Sequence, residues 1–534
     1  MVSQAEQPPS TDHHRRILAS AAGLIGLFTL MSRVLGLVRE MVVAWIFGAR
    51  EAADAFYVAF RLPNLLRELT AEGSMSAGFI PVFSDYLATR SRQEARELAH
   101  ASFTIVCVGL TVISALGLLA APWLVRLIAP GFVAAPEKFE LTVLLTRIMF
   151  PFLLFIGLAA LTMGVLNSLK SFHAPALASS AFNVVSIAVM LLLLPWLERP
   201  VVGVAIGVLI GGLAQFAVQW PSLSANGMDF RWRWAPDHPG LKRMLWLILP
   251  TTIGLSVSQI NLVVNTLLAS LLPDGSVAYL NYAMRLIQFP LGLFGVAVAT
   301  AMLPTLAAQA SLGQRDLFRQ TTAFGLRLVF FITLPSMIGL IMLRRPIIEV
   351  LFQHGAFDAR ATEGTASALV AYTLGLWAFA GVRVAVQAFY AVQDTKTPVR
   401  AAVAAMVINI ALNLLLMRPL GHAGLALATS LSSMINFGWL LLLLNRRHGA
   451  LPMRELARSH AQVAVASLAV AVICWPIGSL AVWGEPGAWV AKSCWLALGV
   501  GGSVAGFVAV CAWLGSEELS IVWQLVRRKL VGTS

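Results

Sequence analysis

The chain has 534 residues, 58% of them hydrophobic and 12% charged, about half the charged share of an ordinary soluble domain. Mean hydropathy is +0.80. A soluble globule needs more surface charge and a disordered chain far fewer apolar residues, so both are excluded and a polytopic membrane protein remains. The net charge of +13 could suggest nucleic acid, but in a membrane chain it first signals cytoplasmic loops.

In chain order, Met1 to Asp12 is polar and expected to be disordered. His13, His14, Arg15 and Arg16 precede the first apolar run, with no small-residue cleavage site after it, so the run reads as an uncleaved helix rather than a signal peptide. Apolar stretches long enough to span a bilayer then recur near 21–48, 53–86, 98–128, 139–168, 174–195, 201–223, 241–272, 276–309, 320–343, 361–393, 398–417, 422–445, 458–482 and 488–515. The expectation is an all-α polytopic membrane protein of about 14 transmembrane helices. Barrel strands would be shorter and would alternate in polarity. With the N-terminus in the cytoplasm, the cytoplasmic segments hold 21 Lys and Arg and the outer loops 7, so both termini are expected inside.

Two halves resemble each other at an offset near 224. Ala59-Phe60-Arg61-Leu62 aligns with Ala283-Met284-Arg285-Leu286, Gly131-Phe132 falls opposite Gly355-Ala356-Phe357, and Asn167-Ser168-Leu169-Lys170 resembles Gln393-Asp394-Thr395-Lys396. Six spans separate the copies. An even number preserves topology, so the repeats are parallel, and such repeats suit alternating access better than a channel. The expected organisation is an N-terminal tail at 1–20, a six-helix lobe at 21–225, a pseudo-symmetric second lobe at 226–446, and a C-terminal helix pair with its tail at 447–534.

Charge inside the spans carries the functional signal, because each charge at mid-membrane costs at least about 2.5–3.5 kcal/mol. The first span holds Ser32, Arg33, Arg39 and Glu40. Seven-residue spacing puts Ser32 near Arg39 and Arg33 near Glu40. The second holds Asp54, Arg61, Asn64, Glu68 and Glu72 on one face, with Arg67 off it unless Pro63 re-aims the helix. Arg285 in the eighth span occupies the position equivalent to Arg61. Two readings stand. One is an internal salt-bridge network; the other is a site for a phosphate or carboxylate ligand, which guanidinium forks bind bidentately. Arg126 and Lys492, near span ends, are expected to reach the headgroups. The run from Glu72 to Gly78 is rich in small residues and reads as close packing or a hinge, and the scattered Asn side chains read as interhelical glue. Phe230-Arg231-Trp232-Arg233-Trp234 reads as an interfacial anchor. The four cysteines lie in apolar runs without a CxxC pair, the nine histidines form no metal motif, and no phosphate-binding glycine loop is present. No metal, cofactor, ATP or nucleic-acid partner is therefore expected.

The motifs carrying these charges resemble a known family. Ser32-Arg33-Val34-Leu35-Gly36-Leu37-Val38-Arg39-Glu40, Ala53-Asp54-Ala55-Phe56, Arg61-Leu62-Pro63-Asn64-Leu65-Leu66-Arg67 and Ala71-Glu72-Gly73 are similar to the MurJ (MviN) family of lipid II flippases. So are Ser256-Val257-Ser258-Gln259-Ile260, Phe289-Pro290, Leu303-Pro304 and Asp394-Thr395-Lys396-Thr397-Pro398. That family lies in the multidrug, oligosaccharidyl-lipid and polysaccharide exporter superfamily, with two lobes and a C-terminal helix pair.

The resemblance implies a bacterial inner-membrane flippase that carries the undecaprenyl-pyrophosphate-linked peptidoglycan precursor outward and uses no cofactor, the membrane potential favouring export. It implies substrate-binding roles for Ser32, Arg33, Arg39, Asp54, Arg61, Asn64, Arg67, Glu72 and Arg285. Partners would be the precursor and membrane lipids, with the cell-wall synthesis machinery open. Glu68 stands where some relatives have a second basic residue, and Met284 where some have an acid. A flippase for another polyprenyl-pyrophosphate oligosaccharide and a multidrug cation antiporter remain as alternatives. An antiporter should place unpaired acids in both lobes, whereas the buried acids here cluster beside arginines.

Overall fold

A computed structural model describes residues 11–69, 75–485 and 487–531. Glu72, named above, lies outside the described residues. Without water, a spanning backbone must satisfy its own hydrogen bonds, so apolar runs become helices. No strand occurs among the described residues.

In chain order the helices are α1 (Thr11–Phe47), α2 (Glu51–Arg67), α3 (Met75–Thr89), α4 (Arg92–Ile128), α5 (Pro136–Met149), α6 (Phe152–Ser168), α7 (His173–Leu193), α8 (Pro200–Ala217), α9 (Trp220–Ala225) and α10 (Pro239–Ser270). They continue as α11 (Ser276–Pro290), α12 (Val296–Ser311), α13 (Arg315–Met342), α14 (Arg344–Leu351), α15 (Ala359–Thr373), α16 (Leu376–Ala391), α17 (Lys396–His448), α18 (Met453–Gly478), α19 (Trp489–Trp513) and α20 (Glu517–Val531). Among the described residues 8 helices are long and apolar enough to cross a membrane, or 9 when α15 and α16, bent by 41°, count as one span.

Several apolar stretches are broken by identifiable residues. The 139–168 stretch splits at Pro151, which ends α5 and caps α6. The 276–309 stretch stays helical but passes through a π-type turn at Leu291–Gly295, directly after Pro290, a common response to a lost backbone donor. Stretches 398–417 and 422–445 lie on the single element α17, broken at Gly421 with φ 56 and ψ −135, a conformation open to glycine alone. The charged segment after 515 forms the helix α20.

The chain divides into two compact units. The first comprises Met1–Val43, Ala55–Leu127 and Val133–Ser256. Its core includes Phe79, Phe83, Leu98, Leu161 and Leu241, all at most 1% exposed. The second comprises Ala44–Asp54, Ile128–Phe132 and Val257–Ser534. It contains a core of Phe331, Val463, Val470 and Phe507, where α13, α18 and α19 meet.

Helix starts repeat along the chain. α2, α4, α5, α6 and α7 begin at 51, 92, 136, 152 and 173, and α11, α13, α15, α16 and α17 at 276, 315, 359, 376 and 396. The offset is thus 223 to 225 throughout. Backbone detail follows it. Among the described residues the only non-glycine residues with positive φ are Lys170 (60) and Gln393 (61), 223 apart. Ser171 N donates to Leu166 O at 2.9 Å and Asp394 N to Phe389 O at 3.0 Å. These are the same helix-ending closure after α6 and after α16.

Lys492 corrects an expectation. It does not reach headgroups. It is 8% exposed, and its Nζ donates to Glu349 Oε2 of α14 at 2.9 Å. A buried cation is tolerated when a carboxylate sits beside it. Replacing Glu349 with alanine leaves Lys492 buried and uncompensated, which should cost about 3–5 kcal/mol, seen as a lower unfolding temperature in detergent. The double variant Glu349→Leu with Lys492→Met should recover most of that loss. Arg126 lies over the Trp123 and Phe139 rings, at 5.2 and 5.5 Å from their centres.

Candidate functional site

In the first unit the charged residues of α1 and α2 form two small networks. Arg39 Nη2 donates to Glu40 Oε1 at 3.0 Å, and Tyr57 on α2 donates its hydroxyl to Glu40 Oε2 at 2.8 Å. Arg39 also lies 5.2 Å from the centre of the Phe182 ring on α7. Seven-residue spacing sets Arg33 near Glu40, but the Glu40 carboxylate is taken by Arg39 and Tyr57. Arg33 is exposed and, among the described residues, makes no ion pair. The Ser32 carbonyl accepts from Asn183 Nδ2 at 3.2 Å, which ties α1 to α7.

The second network sits one to three turns further along α2. Arg67 Nε donates to Asn64 Oδ1 and Asn64 Nδ2 to Glu68 Oε1, each at 3.0 Å, while Arg67 Nη2 lies 3.8 Å from Glu68 Oε1. Arg67 therefore joins the face it should miss on an ideal helix. Pro63 lies inside α2, and π-type backbone follows at residues 68 and 69. Glu68 thus holds Arg67 in place, and Arg61 is half-buried between the two networks.

In the second unit Asp54 is 1% exposed. Its Oδ2 accepts from Gly275 N at 2.8 Å and its Oδ1 from Ala278 N at 2.9 Å. It caps the first turn of α11, where backbone amides lack helical partners and the helix dipole favours an anion. Arg285 is half-buried two turns further along α11. The segment Ala44–Asp54 is fastened to this unit elsewhere too. Tyr282 donates its hydroxyl to Gly48 O at 2.9 Å, Ala356 N donates to Trp45 O at 2.9 Å, and Arg50 pairs with Asp358 at 3.3 Å. A Cβ added at Gly355 would collide with the Trp45 carbonyl, and one at Gly131 with the Ser270 carbonyl. Gly131 and Gly355 are 224 apart in the chain and their targets 225 apart, so the two close approaches are related by the repeat.

Asparagines gather in the same unit. Asn413 Nδ2 donates to Asn265 Oδ1 at 2.7 Å and to Asn409 Oδ1 at 2.9 Å, and Asn409 reaches Ser432 at 3.3 Å. This amide cluster joins α10 to both halves of α17, in keeping with interhelical glue. Among the described residues no group of three or more His, Cys, Asp or Glu side chains is placed to hold a metal.

A family model described as "Lipid II flippase MurJ" matches residues 43–489. The chain belongs to the lipid II flippase MurJ family. A "Probable lipid II flippase MurJ" of Vibrio cholerae serotype O1 is 38% identical over 515 residues, 94% of this chain and 97% of that protein. A "Lipid II flippase MurJ" of Burkholderia cenocepacia is 38% identical over 448 residues, 83% and 87% of the two chains. A solved structure, "Lipid II flippase MurJ, inward closed conformation", matches with a TM-score of 0.76 at 27% identity, over 92% of this chain and 99% of that one. An inward-facing multidrug transporter of the MATE family matches with a TM-score of 0.66 at 17% identity, over 79% of this chain and 96% of that one. That second likeness extends to the fold alone.

Within this MurJ-family chain, Tyr57, Phe182 and the amides of Gly275 and Ala278 complete the charged networks and escaped sequence reading. Tyr57 was within reach. It lies three residues after Asp54 and four before Arg61, on the face that already carried the charges. The Asp394-Thr395-Lys396-Thr397-Pro398 motif proves to be the entry to α17, with Asp394 in the loop before the helix and Thr397 in its first turn. Asp394 accepts from Thr397 N at 3.0 Å, Thr397 Oγ1 at 2.6 Å and Arg447 Nη1 at 2.7 Å. Burial pushes its carboxyl up, but the Thr397 hydroxyl and amide together with Arg447 outweigh that and hold it below the usual range. A depressed folded-state pKa stabilises above the unfolded value and is lost as pH falls through the folded one. The wild-type unfolding temperature should therefore decline below about pH 4. Asp394→Ala should start lower at neutral pH and lack this part of the decline.

Proposed function

We propose that this chain carries lipid II, the undecaprenyl-pyrophosphate-linked peptidoglycan precursor, from the inner to the outer leaflet of the bacterial cytoplasmic membrane by alternating access. The reading rests on one observation, membership of the MurJ family at 38% identity over nearly the whole of both chains. It is a multi-pass transporter and not an enzyme. Fourteen spans in two six-helix lobes plus a C-terminal pair, with both termini cytoplasmic, accommodate the apolar stretches, the 223–225 offset and the Lys and Arg bias.

In this reading Arg33, Arg39, Arg61, Arg67 and Arg285 take the pyrophosphate. Ser32, Asn64 and Glu72 complete the polar surround. Glu40 and Glu68 neutralise Arg39 and Arg67 in the empty protein. That lowers the cost of keeping guanidinium groups out of water and positions them for a dianion. Asp54 acts differently. It caps α11 and so fastens the turn between α1 and α2, on the outer side, until outward opening releases it. No cofactor enters. Moving an anion out of a negative interior is downhill by about 2.3 kcal/mol per charge per 100 mV.

The test is depletion of the protein in cells without a redundant flippase, with a leaflet-specific assay for the precursor. Accumulation of lipid II in the inner leaflet is expected. A normal rate of arrival in the outer leaflet would overturn the reading. Accumulation of another polyprenyl-linked saccharide instead would reassign the substrate.

A further inference from the structure

We propose that the second unit carries a binding site for an anionic phospholipid, apart from the arginines assigned to transport. A cavity of about 430 Å³ lies where α13, the second half of α17 and the start of α18 come together, within the size range of small-ligand pockets. Its wall is apolar, with Phe330, Phe437, Leu442, Met453 and Leu456 among the lining residues. Gly438 lies in that wall, and a Cβ added there would meet no atom within 4 Å, so the space beside it is open. Leu442 and Met453 are 61% and 58% exposed, which places the mouth of the cavity on the outer surface of the helices. In a membrane protein that surface meets hydrocarbon. An acyl chain is the occupant that matches such a wall, because it brings apolar surface and no unsatisfied polar atom.

Charge selects the lipid class. Arg446, Arg454 and Arg458 each directly follow a lining residue in the chain, namely Asn445, Met453 and Ala457. All three are exposed, and none makes an ion pair among the described residues. Arg454 and Arg458 are one turn apart on α18, beside the face that carries Met453, Leu456 and Ala457. Arg447 is engaged by Asp394, and Glu455 is the one acid between residues 446 and 458. Three exposed arginines, each next in the chain to a lining residue and without an ion pair among the described residues, complement a phosphodiester whose chain fills the groove. The connection that carries them is held firm. Leu451 N donates to Asn445 Oδ1 at 3.1 Å, and Arg319 Nη1 donates to Ala450 O at 3.2 Å. A phospholipid is favoured over the transported lipid because the pyrophosphate has its own arginines on α1, α2 and α11, none of which borders this cavity.

The test uses the full-length protein in phosphatidylcholine vesicles doped with phosphatidylglycerol bearing a diazirine on one acyl chain. Crosslinked peptides are read by mass spectrometry. Labelling is expected in the segments around Gly438–Leu442 and Met453–Ala457. It should exceed that by the matching phosphatidylcholine probe by about fivefold for each arginine engaged. Gly438→Leu, which fills the groove, should abolish it. The pair Arg454→Ala with Arg458→Ala changes only exposed side chains and leaves the fold intact. It should bring phosphatidylglycerol labelling down towards the phosphatidylcholine level. Excess undecaprenyl pyrophosphate should not compete. Equal labelling by both probes, or labelling indifferent to the arginine pair, would overturn the proposal. Competition by undecaprenyl pyrophosphate would overturn it too, giving the cavity to the polyprenyl chain.

Discussion

Alanine at Arg33 or at Arg285 is expected to cut lipid II transport by about ten- to a hundredfold while leaving normal amounts of folded protein in the membrane. Hydrogen bonds to charged groups are worth about 1.5–3 kcal/mol each, and every 1.4 kcal/mol is about tenfold. Arg33 gives the cleaner experiment. It is exposed and has no ion-pair partner among the described residues, so its removal strands no buried acid. Lysine at either position keeps the charge but loses the fork, and should retain a fraction of the activity. Arg39→Ala should behave differently, because it strips the counterion from Glu40, which is 7% exposed. The Tyr57 hydroxyl remains, yet a buried carboxylate short of its cation is destabilising. Loss of folded protein should accompany loss of transport there. The measurement is the leaflet-specific precursor assay, normalised to membrane-inserted protein. Wild-type transport by both Arg33→Ala and Arg285→Ala would remove these residues from the site.

The contrast between Arg33 and Arg39 also shows where sequence reading runs out. Helical spacing ranks residues into rows along a cylinder, and on that basis Arg33 and Glu40 share a strip. Spacing says nothing about what stands across from the strip. Tyr57 holds Glu40 from α2 and Phe182 receives Arg39 from α7, and together they set the pairing. Asp54 is a stronger case. Its apolar surroundings mark it as costly and therefore interesting, but its partners are backbone amides 221 and 224 residues away. No side-chain pattern encodes a backbone amide. Lys492 fails for the same reason. Its distance from a span end can be read from the chain, whereas Glu349, 143 residues earlier, cannot.

Features controlled by local chemistry were legible. Apolar length located the helices, but not the breaks at Pro151, Leu291–Gly295 and Gly421 inside or between them. The repeat offset near 224, drawn from a few weak residue matches, is carried by the helix starts and by Lys170 and Gln393. The match of Asn167–Lys170 with Gln393–Lys396 set the register three residues off, since the shared conformation pairs Lys170 with Gln393. The Lys170 and Gln393 segments resemble each other because both end a helix with the same left-handed closure. The arginine count on α1 and α2 was legible as well, since charge in an apolar run stands out whatever its partner.

A disulfide between cysteines at positions 45 and 356 is expected to stop transport, and reduction to restore it. Ala356 N donates to Trp45 O at 2.9 Å, so these two backbones are adjacent, as a disulfide requires. The same turn is held by Tyr282 on Gly48 O, by Asp54 on the α11 amides and by Arg50 on Asp358. Each of these is a hydrogen bond or an exposed ion pair that can open and re-form, which suits a reversible fastening. A covalent bond at the same place cannot open. If transport requires the α1–α2 turn to leave α11 and the 355–358 segment, then Trp45→Cys with Ala356→Cys should be active under reducing conditions. Oxidation should bring it to background, and dithiothreitol should return it. The native cysteines at 107, 474, 494 and 511 are replaced by alanine first, so that no other pair forms. The single variants control for loss of the Trp45 side chain. Asp54→Ala should act in the opposite sense, freeing the first turn of α11 and weakening the fastening without a covalent trap. Full transport by the oxidised double variant, with the crosslink verified on a gel, would show that the turn stays in place throughout the cycle and that the moving element lies elsewhere.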